Sequence, residues 1–172
     1  LLAASTREGE ETLLLAAYRR CFSTVERERV LLVVVPRHPQ RFDSVHQQIQ
    51  TAGFTAGRRS GGETVGDVGV WLGDSMGEMA AYFSMCDVAF IGGSLLPLGG
   101  QNLIEACAQG KPVVMGPSVF NFAEAARLAL EAGAMRQGVE ADAVMRLARE
   151  WLQDDAMRES ASRSALSFAG AH

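Results

Sequence analysis

The sequence CDVAFIGGSLLPLGGQNLIE, residues 86–105, joins a short apolar run, a glycine-rich loop and a helix-like segment. The run DVAFI predicts a buried strand, and the segment NLIEACAQ predicts a helix. Four glycines stand between them: Gly92, Gly93, Gly99 and Gly100. They let the backbone approach a ligand closely, and the start of the next helix favours an anion. This order of strand, loop and helix predicts a ligand-binding loop at the edge of an α/β sheet.

Strand-like and helix-like segments alternate along the rest of the chain. The run VLLVVV, residues 30–35, is apolar and β-branched throughout, which predicts a strand covered on both faces. Strands are predicted at residues 1–4, 30–35, 54–58, 68–72, 87–91, 113–115 and 134–138. Helices are predicted at residues 9–22, 39–52, 77–85, 102–109, 121–132, 140–152 and 154–168. The fold class is therefore α/β, a doubly wound and mostly parallel sheet, with residues 1–172 forming a single domain.

The composition is that of a folded protein without a nucleic-acid partner. The 172 residues are 48% apolar and carry a formal net charge of −4, with acids and bases interspersed. A nucleic-acid-binding domain usually has a strongly basic face, so we expect no nucleic-acid partner. No apolar run reaches the ~18 residues of a membrane span.

The cysteines indicate the redox compartment of the protein, and the first residues indicate whether the chain is part of a longer one. Cys21, Cys86 and Cys107 form no CxxC pair, and we expect free, buried thiols in a reducing compartment. The chain begins LLAAS, without a Met, which is typical of the interior of a strand. We therefore expect it to be part of a larger protein, whose remaining segments could include an anchor.

Polar residues follow the first predicted strand in STREGEE, residues 5–11. Ser5 or Thr6 is expected to cap the next helix, with Glu8 and Glu10 in its first turn. A cap with solvated charges explains most of this segment, but it does not explain Arg7.

The second and fourth predicted strands are followed by candidate ligand contacts. In PRHPQR, residues 36–41, two prolines hold Arg37 rigidly, which suits a phosphate; a surface turn is the alternative. In GDSMGEM, residues 73–79, glycines let the backbone read the edge of a flat base, whereas Asp74 or Ser75 as a helix cap is the alternative.

The glycine-rich loop leads into a predicted helix that carries a carboxylate. Glu105 is one turn inside the predicted helix and could accept hydrogen bonds from a vicinal diol such as a ribose; a capping partner in the first turn is the alternative. The loop itself is expected to offer unpaired N–H groups to a phosphate. Farther on, Asn121 is expected to cap the following helix.

Several common signatures are absent from the sequence. No GxGxxG follows the first strand, GKP is not a P-loop, and no DxD or GxSxG occurs. The histidines show no metal-ligand spacing. We therefore expect neither a metal site nor a cofactor.

Together these segments resemble the C-terminal, donor-binding domain of the 3-deoxy-D-manno-octulosonic acid (Kdo) transferases. The resemblance rests on ASTREGEE, VPRHPQRF, LGDSMGEM and FIGGSLLPLGGQNLIEACAQGKPVVMGP, which occur in the order expected of that family. These are GT-B glycosyltransferases of lipopolysaccharide synthesis, in which two Rossmann-like domains face a cleft. The resemblance implies that residues 1–172 are a single nucleotide-sugar-binding, Rossmann-like domain, the C-terminal half of such an enzyme. It also implies that CMP-Kdo is the donor and that a lipid A precursor is the acceptor.

The resemblance also implies an inverting displacement at the Kdo anomeric carbon, with no essential metal. The catalytic base and the membrane association would belong to an N-terminal acceptor domain outside this chain, at the cytoplasmic face of the bacterial inner membrane. Two other interpretations stay open. One is a UDP-sugar-binding domain of a GT-B-like epimerase, and the other is a non-catalytic nucleotide-binding module.

Site residues follow from the resemblance, position by position. Arg37 would contact the phosphate, the backbone of Met76, Gly77 and Glu78 would contact the cytosine, and Asn102 and Glu105 would hold the ribose. The phosphate region would be lined by Gly93, Ser94, Gly99 and Gly100. One departure concerns the E-x7-E pattern of many GT-B domains, because Pro97 occupies the position of its first glutamate.

Overall fold

The computed structural model describes residues 1–172. The strands are β1 (Leu2–Thr6), β2 (Leu32–Pro36), β3 (Ala56–Arg58), β4 (Val70–Leu72), β5 (Ala89–Ile91), β6 (Val113–Met115) and β7 (Met135–Gln137). The helices are α1 (Glu10–Cys21), α2 (Thr24–Arg29), α3 (Phe42–Thr51), α4 (Met79–Met85), α5 (Ile104–Ala108), α6 (Ala123–Ala132), α7 (Ala141–Gln153) and α8 (Asp155–Gly170). None of these helices combines the length and the apolar character needed to cross a membrane.

The strands form one parallel sheet in the order β3-β4-β2-β1-β5-β6-β7. The predicted α/β class and the seven predicted strands are therefore confirmed. The chain builds one half of the sheet up to β4, crosses over, and builds the other half from β5. The change of direction falls between β1 and β5, and doubly wound sheets bind their ligands at the carboxyl end of such a point.

Helices cover both faces of the sheet because its strands are apolar on both sides. Within β1, Ala3 belongs to the core under α1, α3 and α7, whereas Leu2 and Ala4 belong to the core under α4, α5, α6 and α8. The same alternation separates Phe90 from Ile91 in β5. Each crossover therefore buries a separate apolar face, and the carboxyl ends of the strands remain at one edge.

The structure differs from the predicted elements at the ends of strands and helices and in one additional helix. Helix α2 was not predicted, although Ser23 and Glu26 form a capping box at its start. The expected caps at Ser5 and Thr6 are wrong, because α1 starts after Gly9, whose backbone is left-handed, without a side-chain cap. Likewise the cap of α4 is Glu78, without a side-chain bond.

The cap expected from Asn121 is also wrong. Its side-chain nitrogen donates to the carbonyl of Leu98 at 3.1 Å, and α6 begins after Phe122 instead. Asn121 therefore ties the glycine-rich loop to the segment after β6.

All three cysteines are free thiols, as predicted. Cys86 and Cys107 are buried, and Cys21 is partly buried. Burial raises the pKa of Cys86 to about 11 and that of Cys107 to about 12. Both side chains therefore act as packing groups at neutral pH.

The glycine-rich loop begins where β5 passes the end of β1 at very short range. The N–H of Gly92 donates to the carbonyl of Ala4 at 2.7 Å. A Cβ atom on Gly92 would lie 2.2 Å from the carbonyl oxygen of Ser5 and 2.7 Å from the Cα of Thr6. These are backbone atoms that cannot rotate away, so only glycine fits.

We expect Gly92→Ala to lower the free energy of unfolding by about 2–4 kcal/mol, because the new methyl group forces β1 and β5 apart. Gly66→Ala is the matched control, since no atom lies within 4 Å of a Cβ there. The control should stay within about 0.5 kcal/mol of the unsubstituted chain. Urea denaturation followed by circular dichroism gives both values, and equal midpoints for the two variants would contradict the packing argument.

Candidate functional site

A cavity of about 310 Å³ opens at the carboxyl ends of β1, β2 and β5, between α4 and α5. It lies at the point where the sheet changes direction, which is the expected ligand position in this fold. Half of the residues predicted from the sequence line it: Arg37, Met76, Gly77, Asn102 and Glu105. The topology thus brings together residues from the three segments that follow β2, β4 and β5.

A larger cavity of about 530 Å³ lies near the opposite ends of β1 and β2. Its lining is mainly apolar and includes Leu1, Val30 and Trp71. It contains none of the predicted site residues. The cavity at the carboxyl edge, here called the edge cavity, is therefore the candidate functional site.

The edge cavity presents polar groups that the chain itself does not use. Arg37 is exposed, and its guanidinium makes no hydrogen bond or ion pair within the chain. The N–H groups of Met76 and Gly77 also have no partner in the chain. Glu105 is exposed and its carboxylate is unpaired, whereas Asn102 uses its side-chain oxygen to accept the N–H of Ile104 at 2.9 Å. One cation, two amides and one carboxylate thus remain available to a ligand.

Several lining residues were not predicted from the sequence. The hydroxyl groups of Ser75 and Tyr82 lie 2.6 Å apart at the wall formed by α4, and burial raises the pKa of Tyr82. Ser5 lines the floor and is the only residue other than glycine with a positive φ, 55°. Such strained backbone is concentrated at functional sites. In the sequence, only the position of Ser5 directly after the strand predicted at residues 1–4 indicated that it could lie near a ligand.

The glycine-rich loop does not offer the row of unpaired amides that the sequence suggested, and that expectation is wrong for most of it. The N–H of Gly93 donates to the carboxylate of Glu10 at 2.7 Å. The N–H of Gly99 donates to the Ser118 hydroxyl at 2.9 Å, and that of Gly100 donates to the carbonyl of Gly93 at 2.8 Å. The loop is therefore closed on itself and on its neighbours.

Gly93, Ser94, Gly99 and Gly100 are buried and do not line the edge cavity. The Ser94 hydroxyl donates to the carbonyl of Ile91 at 2.6 Å and accepts the N–H of Gly116 at 2.9 Å. A ligand contact by these groups stays a prediction that would require those bonds to open. Their position instead shapes the wall that carries Asn102 and Glu105.

Glu78 lies beside the edge cavity without lining it. A hydrogen bond from Ser75 and the nearby charge of Arg59 lower the pKa of its carboxyl group. The Arg59 guanidinium is 3.5 Å away. Only the backbone of Glu78 was predicted to take part in binding, and its carbonyl accepts the N–H of Tyr82 at 3.1 Å.

Two adjacent carboxylates at the start of α1 hold the loops around the edge cavity. Glu10 and Glu11 are fully buried, although the sequence suggested solvated charges in a first helical turn. Burial raises the pKa of Glu10, against the effect of the three N–H groups that bind it. In the sequence, the only indication of this burial was the pair of consecutive glutamates in GEE, residues 9–11, shortly after the first strand.

Glu11 joins the first two loops of the sheet edge through Arg41. The guanidinium of Arg41 donates to both carboxylate oxygens, at 2.7 and 2.8 Å, and the Thr6 hydroxyl donates at 2.6 Å. The hydrogen bonds to Glu11 raise the pKa of Arg41. This bidentate pair fixes the segment that carries Arg37, which follows β2 directly.

The chain is similar to known proteins of one family. The 3-deoxy-D-manno-octulosonic acid transferase of Bordetella pertussis is 44% identical over 172 residues, covering 98% of this chain and 40% of the relative. The C-terminal CMP-Kdo binding domain of WaaA from Acinetobacter baumannii has a crystal structure that superposes with a TM-score of 0.90. It shares 31% identity, and the match covers 97% of this chain and 86% of that domain.

The chain belongs to the Kdo transferase family. It corresponds to the C-terminal domain, as the sequence resemblance implied, and it spans about 40% of the length of the curated relative from Bordetella pertussis. Anabaena HepE, solved with UDP and glucose, has a TM-score of 0.67 and 17% identity, over 99% of this chain and 42% of that protein. That likeness supports the GT-B fold alone. No protein-family profile matches the chain.

In this Kdo transferase domain, we expect Arg41→Ala to lower the free energy of unfolding by about 3 kcal/mol, because it leaves the buried Glu11 carboxylate unpaired. Arg127→Ala is the control. Arg127 pairs with Glu124 and Glu131 on an exposed helix face, so its removal should leave the stability nearly unchanged. Urea denaturation at neutral pH measures both. A loss for Arg41→Ala no larger than that of the control would show that the buried pair does not hold the loops.

Proposed function

We propose that this chain is the donor-binding domain of a Kdo transferase and that it binds the CMP part of CMP-Kdo in the edge cavity. One observation carries the proposal. A cavity at the direction change of the sheet contains a guanidinium, two amides and a carboxylate that have no partner in the chain. The matching set of groups on CMP is a phosphate, a flat base and a ribose diol. The relatives described above support the choice of CMP-Kdo as donor.

Each part of CMP has a suitable neighbour in this proposal. Arg37 offers charge and paired donors to the phosphate. The free N–H groups of Met76 and Gly77 face the base, and the backbone turn at Gly77 keeps the approach open with φ 75°. The carboxylate of Glu105 accepts hydrogen bonds from the ribose hydroxyls, and the side-chain NH₂ of Asn102 donates to them, since the Asn102 oxygen already accepts from Ile104. No side chain has to move from a buried position for these contacts.

The proposed reaction is a displacement at the anomeric carbon of Kdo. A hydroxyl oxygen of the acceptor forms the new bond, the bond to the phosphate oxygen breaks, and its electron pair leaves with CMP. Arg37 stabilises the negative charge that develops on the departing phosphate. The proton of the attacking hydroxyl passes to a base in the part of the longer enzyme that precedes this domain.

The remaining assignments concern the whole enzyme. We propose a lipid A precursor as acceptor, because the relatives are Kdo transferases. We also propose that the longer enzyme works at the cytoplasmic face of the inner membrane, where such an acceptor would be bound through other segments. In that case the donor domain would bind the nucleotide, and other segments would attach the enzyme to the membrane.

Calorimetry with CMP and with cytidine tests the proposal on the 172-residue chain. We expect the unsubstituted chain to bind both, and Arg37→Ala to weaken CMP binding at least tenfold while leaving cytidine binding unchanged, since only CMP carries the phosphate. Glu105→Ala should weaken both. Arg163→Ala, which removes an exposed arginine of α8 outside the edge cavity, is the control.

UMP and UDP are included as competitors in the same experiment. Stronger binding of the uridine nucleotides than of CMP would favour the epimerase-like interpretation. Absence of binding to all of these nucleotides would contradict the proposed function.

A further inference from the structure

We propose that Glu10 is a positioning residue of the donor site, which holds the glycine-rich loop so that Asn102 and Glu105 face the ribose. This inference rests on the proposed function, because it assigns a task within the same cavity. Glu10 itself does not line the cavity and is fully buried, so its effect on a ligand must pass through the loop.

Glu10 binds two loops of the sheet edge at once. One carboxylate oxygen accepts the N–H of Gly93 at 2.7 Å and the N–H of Arg7 at 2.8 Å. The other oxygen accepts the N–H of Leu95 at 3.1 Å. The three donors come from the loop after β1 and from the loop after β5. The carboxylate therefore clamps the two loops on either side of the direction change.

Backbone bonds lead from this clamp to the ribose side of the cavity. The carbonyl of Gly93 accepts the N–H of Gly100 at 2.8 Å, and that of Gly92 accepts the N–H of Gln101 at 3.0 Å. Gln101 lines the cavity, and Asn102 follows it directly. A displacement of Gly93 therefore moves the segment that carries Asn102 and Glu105.

Only a carboxylate satisfies all three donors at this position. Its two oxygens accept and have no hydrogen to donate. A glutamine can keep its oxygen on Gly93 and Arg7, but its NH₂ group then faces the N–H of Leu95. An aspartate keeps both oxygens on a side chain that is one methylene shorter. Glu10→Gln therefore breaks one clamp contact with almost no change of volume.

The carboxylate also occupies the place that an external anion would take in this loop. Gly93 and Leu95 point their amides at Glu10, so they are not available to the donor phosphate. The proposal therefore assigns the glycine-rich loop to the geometry of the ribose subsite. It leaves Arg37 as the phosphate contact.

A double-mutant cycle on cytidine binding tests the proposal, with Glu10→Gln and Glu105→Ala singly and combined, each titrated by calorimetry into the folded 172-residue chain. We expect Glu10→Gln to weaken cytidine binding roughly tenfold, and to weaken CMP binding by the same factor. In the Glu105→Ala background the further loss should fall to less than about threefold, because only the Asn102 contact then remains to be positioned. Glu10→Asp should fall between Glu10→Gln and the unsubstituted chain.

Ile49→Val is the control for a loss of stability alone. Ile49 is fully buried in α3, far along the chain from the clamp, and this change lowers stability without altering the cavity lining. Its cytidine affinity should equal that of the unsubstituted chain. If Glu10→Gln resembles Ile49→Val, with lower stability and unchanged affinity, Glu10 is only a structural residue and the proposal is overturned.

Hydrogen exchange on the unsubstituted chain gives a second measurement that does not depend on a variant folding. Because coupling is reciprocal, saturating cytidine should slow exchange of the Gly93 and Leu95 amides by a factor similar to the affinity loss in Glu10→Gln. Unchanged exchange at both amides, with cytidine bound, would overturn the proposal. Failure of the unsubstituted chain to bind cytidine or CMP would instead contradict the proposed function, so the two failures are distinguishable.

Discussion

The sheet edge depends on the burial of two consecutive carboxylates in the first turn of α1. Removing a carboxylate from water costs several kcal/mol unless hydrogen bonds replace its hydration. Glu10 and Glu11 are both fully buried, so each requires specific partners from other segments. Glu10 takes N–H groups of two loops, and Glu11 takes Arg41 and the Thr6 hydroxyl. The bonds that satisfy the carboxylates are thus the same bonds that fix three loops around the cavity.

This arrangement separates groups that build the site from groups that remain free for a ligand. Glu10, Glu11 and Arg41 are buried or nearly so, and their polar atoms are used within the chain. Arg37 and Glu105 are exposed at the cavity and have no internal partner. The free groups can exchange water for a ligand without breaking any bond of the fold. Polar groups that have to be rigid and polar groups that have to be available are therefore found on different residues of neighbouring segments.

The sequence predicted the parts of the fold that depend on local patterns. Short β-branched runs such as Val30–Val35 predicted strands, and the loops after them predicted where Arg37 and Glu105 meet. The burial of Glu10 could not be predicted in this way, because its partner Gly93 lies 83 residues along the chain. A first-turn glutamate is usually solvated, and only the strand order shows that another loop covers it. The internal hydrogen bonds of the Ser94 hydroxyl, to Ile91 and Gly116, could not be predicted for the same reason, since Gly116 belongs to a distant segment.

The density of glycines in the loop after β5 has a physical explanation that differs from the one its sequence suggests. At Gly92 the backbone of β1 lies so close that a Cβ atom would not fit. At Gly116 the backbone of Ser94 lies equally close. Gly100 turns with φ 79° so that its N–H reaches the carbonyl of Gly93. These glycines let the loop fold back on itself and accept a carboxylate of its own chain. A glycine-rich loop at a strand end therefore indicates close backbone packing first. Whether it holds a phosphate depends on which groups already accept from its amides. Here the Glu10 carboxylate accepts from Gly93 and Leu95, and other groups of the chain accept from Gly99 and Gly100.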